Sequence, residues 1–287
     1  MQLKSNFVDD WISILKDILE NHWGYDTAGV TDEHLPYVYF NAEKRRPDQR
    51  PRKIILSDTF KCPENLQTGW DRLQGLIETG QDITPNLSKL VKQLHNKDSM
   101  LNDWSVHHFH LGNNIKGEFI ERTGPLLFAL ITKENFYAIG VHEHGAWADA
   151  EIVEIIHRNW PSEVAQYQIK GIISATEITE QQRLTLRAKN ANSFVTVNDG
   201  TVYAPIGGGV VGAGYNIQSI IRTDRQKSTL EALEKHLESQ LINIRDKLVE
   251  HGYSGEPEVE AKLEITENEY IAIFPKFNIA VTLMSNA

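Results

Sequence analysis

"PLLFALIT", residues 125 to 132, most limits what this chain can become. It is a continuous apolar run, as in a central strand buried on both faces. Two neighbours also read as strands: residues 104 to 111, which alternate, and "NFYAIGVHEH", residues 135 to 144. The link "TKEN" is short enough for a hairpin. The three predict an antiparallel meander. A helix over about 148 to 158 follows, with Asp149 and Glu151 at its positive end, Arg158 at its negative end and Trp160-Pro161 as the stop.

Before the meander, Phe7, Trp11, Ile14, Leu15 and Ile18 share one helical face, with Ser5 or Asn6 as cap. "HLPYVYFN" (34 to 41) and "RKIILSD" (52 to 58) read as strands. Trp70, Leu73, Leu76 and Ile77 predict a helix. A second is expected from Thr84-Pro85, with Leu87, Leu90, Val91 and Leu94 on one face. Beyond Pro161, "AQYQIKGIISATEI" contains a strand, and "SFVTVNDGTVYAPI" is a hairpin with Asn198-Asp199-Gly200 at its tip. Ser228 and Glu231 form a capping-box pattern for a helix to about 250, striped by Leu230, Leu233, Leu237, Leu241, Ile244 and Leu248. The stripe reads as core, and its regularity also fits a dimer contact. Two closing strands are expected near 260 to 265 and 269 to 283. The fold class is therefore α+β: a central antiparallel sheet with flanking helices, plus a second α+β part. Boundaries are expected near 100 and 161. They give an N-terminal region (1–100), the sheet and helix with the histidines (101–161), and a C-terminal part (162–287).

Composition narrows the function. The single cysteine, Cys62, leaves no disulfide framework, as in a reducing cytosol. The first twenty residues lack the apolar core of a signal peptide, and no run reaches the ~18 apolar residues of a membrane helix. A cytoplasmic protein without a membrane partner is expected. The net charge of −10 argues against a general nucleic-acid coat, because phosphates attract cations. A local basic site remains open: residues 42 to 53 carry six basic and two acidic side chains. Two prolines make the segment a loop. It reads as solvated surface or, functionally, as a mobile arm in which Lys44, Arg45, Arg46, Arg50 and Arg52 hold phosphates.

Five of the eleven histidines fall between residues 107 and 144, in "HHFH" and "HEH". Strand side chains alternate, so His108 shares a face with His110 and His142 with His144, while His107 points away. The meander puts both pairs at one sheet edge, near Arg122 and Thr123. Two chemistries fit. The first is a metal-dependent hydrolase or oxygenase with a divalent transition metal on His108, His110 and His142, since His-x-His on a strand is a common ligand arrangement. The second needs no cofactor. RNA cleavage by its own 2′-hydroxyl requires a base, an acid and positive charge at the phosphate, which imidazoles and a guanidinium supply.

The stretch "HHFHL … RTGPLLFALI … FYAIGVHEHGAWAD", followed by a helix, resembles the RelE-like toxin endoribonucleases, especially their histidine-rich branch. The resemblance covers about residues 100 to 160. It implies RNA as substrate, acid and base roles for His108 or His110 and for His142 or His144, and phosphate binding by Arg122. An inhibitor protein and a homo-oligomer are further partners to consider. Family members are usually small and basic, whereas this chain is large and acidic. A third reading makes the histidines structural and the chain a binding or assembly module. Gly207 to Gly212 spell G-x-G-x-x-G, but after a hairpin rather than in a βαβ unit, so a loop or close backbone packing is expected.

Overall fold

The computed structural model describes residues 1–172 and 178–285. It is α+β, in two compact units: Asn41–Ser219, and Met1–Phe40 together with Ile220–Ala287. The boundaries expected near 100 and 161 both lie inside the first of these. The physical reason is the two-faced strand: one face is covered by residues from Leu66 to Val91, and the other by Trp104 and residues from Ile152 to Val164, extended by Val195 to Ile206.

The Asn41–Ser219 unit is built on a four-stranded sheet. Its strands are β1 (Lys53–Leu56), β2 (Val106–Phe109), β3 (Leu126–Ile131) and β4 (Asn135–His142), in the order β1-β4-β3-β2. β2, β3 and β4 are the antiparallel meander. β1 adds to the edge in parallel with β4, so the sheet is mixed rather than wholly antiparallel. One face packs Leu127, Ala129, Phe109 and Phe136 against Trp70, Leu73 and Ile77 of helix α1 (Gln67–Thr79). The other packs Leu126, Phe128, Leu130 and Ile139 beneath Trp104 of the short helix α2 (Ser99–Trp104) and Ile152, Val153 and Ile156 of helix α3 (Glu151–Asn159). Val195, Val197 and Tyr203 extend that layer. They belong to the hairpin Val195–Thr196/Val202–Tyr203, whose turn has Gly200 at φ 88°. Gln168–Ile169 completes its small sheet. The rest of the strand expected in that stretch, 173–177, lies outside the described residues. Helix α4 (Glu180–Ala188) opens with a capping box at Thr179 and Gln182.

Two local expectations fail for identifiable reasons. Residues 34 to 41 are not a strand: the helix Leu35–Lys44 runs through them. Leu35, Val38, Tyr39 and Ala42, all buried, have the i, i+3, i+4, i+7 spacing of one helical face. The β-propensity of Tyr and Val yields to that spacing. Residues 84 to 94 form two 3-10 turns, Thr84–Asn86 and Lys89–Lys92, instead of a helix. The Asn86 carbonyl accepts from His110 N–H at 2.7 Å, and the Asn86 amide donates to the His110 carbonyl at 2.8 Å. That clasp takes Asn86 out of a helical ladder and closes the end of β2.

In the other unit, Asn6 caps the helix Phe7–Asp17 by accepting from Asp9 N–H, and Phe7, Trp11 and Leu15 are buried. Three strands close the chain where two were expected: Lys262–Ile265, Glu269–Phe274 and Ile279–Ser285, an antiparallel meander. Gln2–Lys4 pairs in parallel with Glu258–Glu260. The helix expected from Ser228 starts at Ile217 and runs to Glu250, so Ser228 lies mid-helix and caps nothing. Leu230, Leu233, Leu237, Leu241 and Leu248 are buried within the chain, as the core reading expects, and Ile244 is half-buried.

Leu127→Ala, in the fully buried strand, is expected to cost about 2–5 kcal/mol. Leu56→Ala, half exposed on edge strand β1, should stay within about 0.5 kcal/mol. Urea denaturation of both variants measures this. Equal losses would contradict the two-faced burial of β3.

Candidate functional site

Where β2 and β4 end, the layers part around a cavity of about 360 Å³. His108, His110, Arg122 and His144 line it, together with Trp147, Asp98 and Lys97. Trp147 organises the wall. It stacks on Phe128 at 5.6 Å between ring centroids, meets the His108 ring at 4.8 Å and the His144 ring edge-on at 5.2 Å.

Each imidazole is held differently. The Asn86 clasp fixes the His110 backbone, and its Nδ1 accepts the Thr123 backbone N–H at 3.2 Å. An accepting Nδ1 puts the ring proton on Nε2. Burial pushes the His110 pKa down to about 4, and the neighbouring His108, Arg122 and His144 add to the shift. His110 is therefore a neutral N–H donor near pH 7. His108 Nδ1 lies 3.8 Å from Asp98 Oδ2, and the other oxygen of Asp98 caps α2 by accepting from Leu101 N–H. That distance is beyond hydrogen-bond reach, and the buried Nδ1 of His108 has no hydrogen-bond partner among the described residues. His144 and Arg122 are exposed at the cavity mouth.

His142 stands apart from the other predicted residues. It is the last residue of β4, opposite Leu126, and its ring stacks on Phe128 at 5.0 Å. It does not line the cavity, and its buried Nε2 has no hydrogen-bond partner among the described residues. Burial lowers its pKa, against the opposing pull of Asp149. The strand ends at His142 and a turn follows, with Ala146 N–H donating to the Glu143 carbonyl, so His144 leaves the strand's alternation. His107 also borders the cavity, although strand alternation points it to the other face. Its Nε2 lies 3.3 Å from the Lys44 carbonyl, and burial pushes its pKa down to about 4. Among the described residues no three His, Cys, Asp or Glu side chains are grouped to hold a metal ion. His142 lies outside the cavity that His108 and His110 line.

The basic segment is not a mobile arm. Arg45 is buried and donates to the carbonyls of Leu90, Gln93 and Leu94 at 3.0–3.2 Å, closing the 3-10 turns. Arg52 is buried too, bonded to the Thr132 and Asp48 carbonyls at 2.8 Å and ion-paired with Asp48, which also binds Arg50. Lys44 donates to the Gly207 carbonyl, and burial lowers its pKa to about 8. Lys44, Arg46, Arg50 and Arg52 do share one feature. With Lys133 and His107 they line a groove of about 460 Å³, in which Glu43 and Asp48 are the only carboxylates.

Three site residues carried no expectation from the sequence: Asp98, Trp147 and Lys97. Asp98 had a readable signal, since Asp before "SMLNDW" is an N-cap pattern. Nothing in the local pattern around Trp147 or Lys97 marks either for a cavity.

The depressed histidines set a pH dependence. His107 and His110 titrate near 4 when folded, against about 6.5 when unfolded. The unfolded chain binds more protons in that window, so stability is full above about pH 6.5 and falls as pH drops toward 4. Denaturation midpoints from pH 7 to 4 should show the decline, and His110→Gln should flatten it. An unchanged slope would mean His110 is not held neutral.

No protein-family model, no curated protein and no solved structure matches this chain.

Proposed function

We propose that the chain is a toxin-like endoribonuclease that cleaves RNA by general acid–base catalysis without a metal. The observation that carries it is the convergence of His108, His110, His144 and Arg122 on one cavity. The resemblance of residues 100 to 160 to RelE-like toxins supports the same reading. An inhibitor protein as partner and a cytoplasmic location belong to it. No described helix is long and apolar enough to cross a membrane.

The reading assigns the roles as follows. Nε2 of His108 accepts the 2′-hydroxyl proton. The freed oxygen attacks phosphorus, and the P–O5′ bond breaks. His144 gives its proton to the departing 5′-oxygen, leaving a 2′,3′-cyclic phosphate and a 5′-hydroxyl. Arg122 and the neutral Nε2–H of His110 hold the phosphoryl oxygens as their charge grows. Recognition is limited to the few nucleotides that reach the cavity, because Arg45 and Arg52 are committed to internal contacts.

Purified protein is expected to cleave RNA in the presence of a chelator and to leave cyclic phosphate ends. His108→Ala and His144→Ala should each slow cleavage about 100- to 10,000-fold, and Arg122→Ala about 100- to 1,000-fold. The rate should pass through a maximum between two apparent pKa values that belong to the coupled histidines together. Cleavage that stops with chelator and returns with an added ion, or that survives the loss of His108, would overturn the mechanism.

Half-buried Arg46 and Arg50, with exposed Lys133, make the groove a second test. If RNA passes along it, changing the three to alanine should weaken binding and reduce the salt slope by about 0.7 for each phosphate that is no longer neutralised. An unchanged slope would remove the groove from the RNA path.

A further inference from the structure

A second cavity, of about 340 Å³, adjoins the histidine cavity in the same unit, and Lys97 and Ser99 line both. We propose that it holds the nucleoside next to the scissile phosphate, so that the site engages RNA two nucleotides at a time, with Lys97, which lines both cavities, joining Arg122 on the one phosphate between them. This rests on the nuclease reading of the first cavity.

The walls suit a nucleoside. Leu184, Ala188 and Ala191 give an apolar side for a base to lie against. Gly209, Val210 and Gly214 of the glycine-rich loop 207–214 also line the cavity. That loop is preformed. Asn192 brackets Val210 by accepting from its N–H at 2.8 Å and donating to its carbonyl at 2.9 Å. Asn216 donates to the Gly207 and Gly209 carbonyls at 2.9 and 3.0 Å. The floor is Asp103 paired with Arg187, whose Nε donates to Asp103 Oδ2 at 2.9 Å and whose Nη1 donates to the Trp147 carbonyl of the first cavity. The literal G-x-G-x-x-G thus becomes a cavity wall instead of a dinucleotide fingerprint.

Lys97 supplies the link. Its ammonium reaches two neutral carbonyl oxygens, at 3.3 and 3.4 Å, on Ala213 and Asn190. No carboxylate pairs with it among the described residues, so an anion would complete it. Gly214, at φ 84°, makes room: a Cβ there would lie 2.0 Å from Lys97 Nζ. Two cavities of similar size joined by one cation match two nucleosides joined by one phosphate.

The test uses the full chain and uncleavable 2′-deoxy probes, with affinity read by calorimetry. A dinucleoside monophosphate should bind about tenfold tighter than a nucleoside 3′-monophosphate, the gain of one stacked base. Ala188→Trp, which adds bulk at an exposed position on α4, should abolish that gain and leave mononucleotide affinity unchanged. Lys97→Met, also at an exposed position, should weaken dinucleotide binding and flatten its salt dependence. A dinucleotide that binds no tighter, a gain that survives Ala188→Trp, or an unchanged salt slope in Lys97→Met would each overturn the proposal. Wild-type RNA cleavage without the dinucleotide gain would sink the subsite alone. Dinucleotide binding in the expected pattern without RNA cleavage would sink the nuclease reading instead.

Discussion

The strand Leu126–Ile131 has no polar face, and the rest of the Asn41–Ser219 unit follows from that constraint. Its odd residues need one apolar layer and its even residues another. α1 supplies the first, and α3 with Trp104 supplies the second. Removing ~25 cal/mol per Å² of apolar surface from water drives both layers together. The first layer begins at Leu66 and the second reaches Ile206, so the unit extends beyond the meander in both directions.

The cavity opens where β2 and β4 end. There the chain must satisfy backbone groups that no neighbouring strand reaches. Asn86 does this for His110, and Arg45 for the carbonyls of residues 90, 93 and 94. Both devices look like local chemistry in the sequence, a turn residue and a basic run, yet both act over 24 or more positions. With the histidines held by such contacts, burial and mutual repulsion can keep His110 neutral beside Arg122. A site assembled this way needs little motion to bind an anion, because its donors are already aimed.

Cations are concentrated in a chain whose net charge is −10. The groove lined by Lys44, Arg46, Arg50, Arg52 and Lys133 shows where they gather. An excess of cations over the carboxylates Glu43 and Asp48 in its lining gives the groove a local positive balance even though the whole molecule is acidic. The overall charge therefore describes solubility and long-range repulsion more than it describes the site.

Sequence alone determined the elements whose signal is a repeated pattern. The meander, α1, α3, the helix capped by Asn6 and the hairpin at Gly200 all follow from periodicity and turn chemistry, which act within a few residues. Tertiary structure decided everything that depends on a partner far along the chain. The helix Leu35–Lys44 wins over β-propensity because its buried stripe finds a core. His142 and His144, alike in spacing, separate because the strand stops between them. Arg45 and Arg52 turn inward because unpaired carbonyls elsewhere require donors. Asp98 and Trp147 join the histidines only when residues 98, 108, 122 and 147 meet. The division has one cause: local pattern fixes dihedral preference, whereas a site is a set of long-range contacts whose desolvation and hydrogen bonding no short window contains.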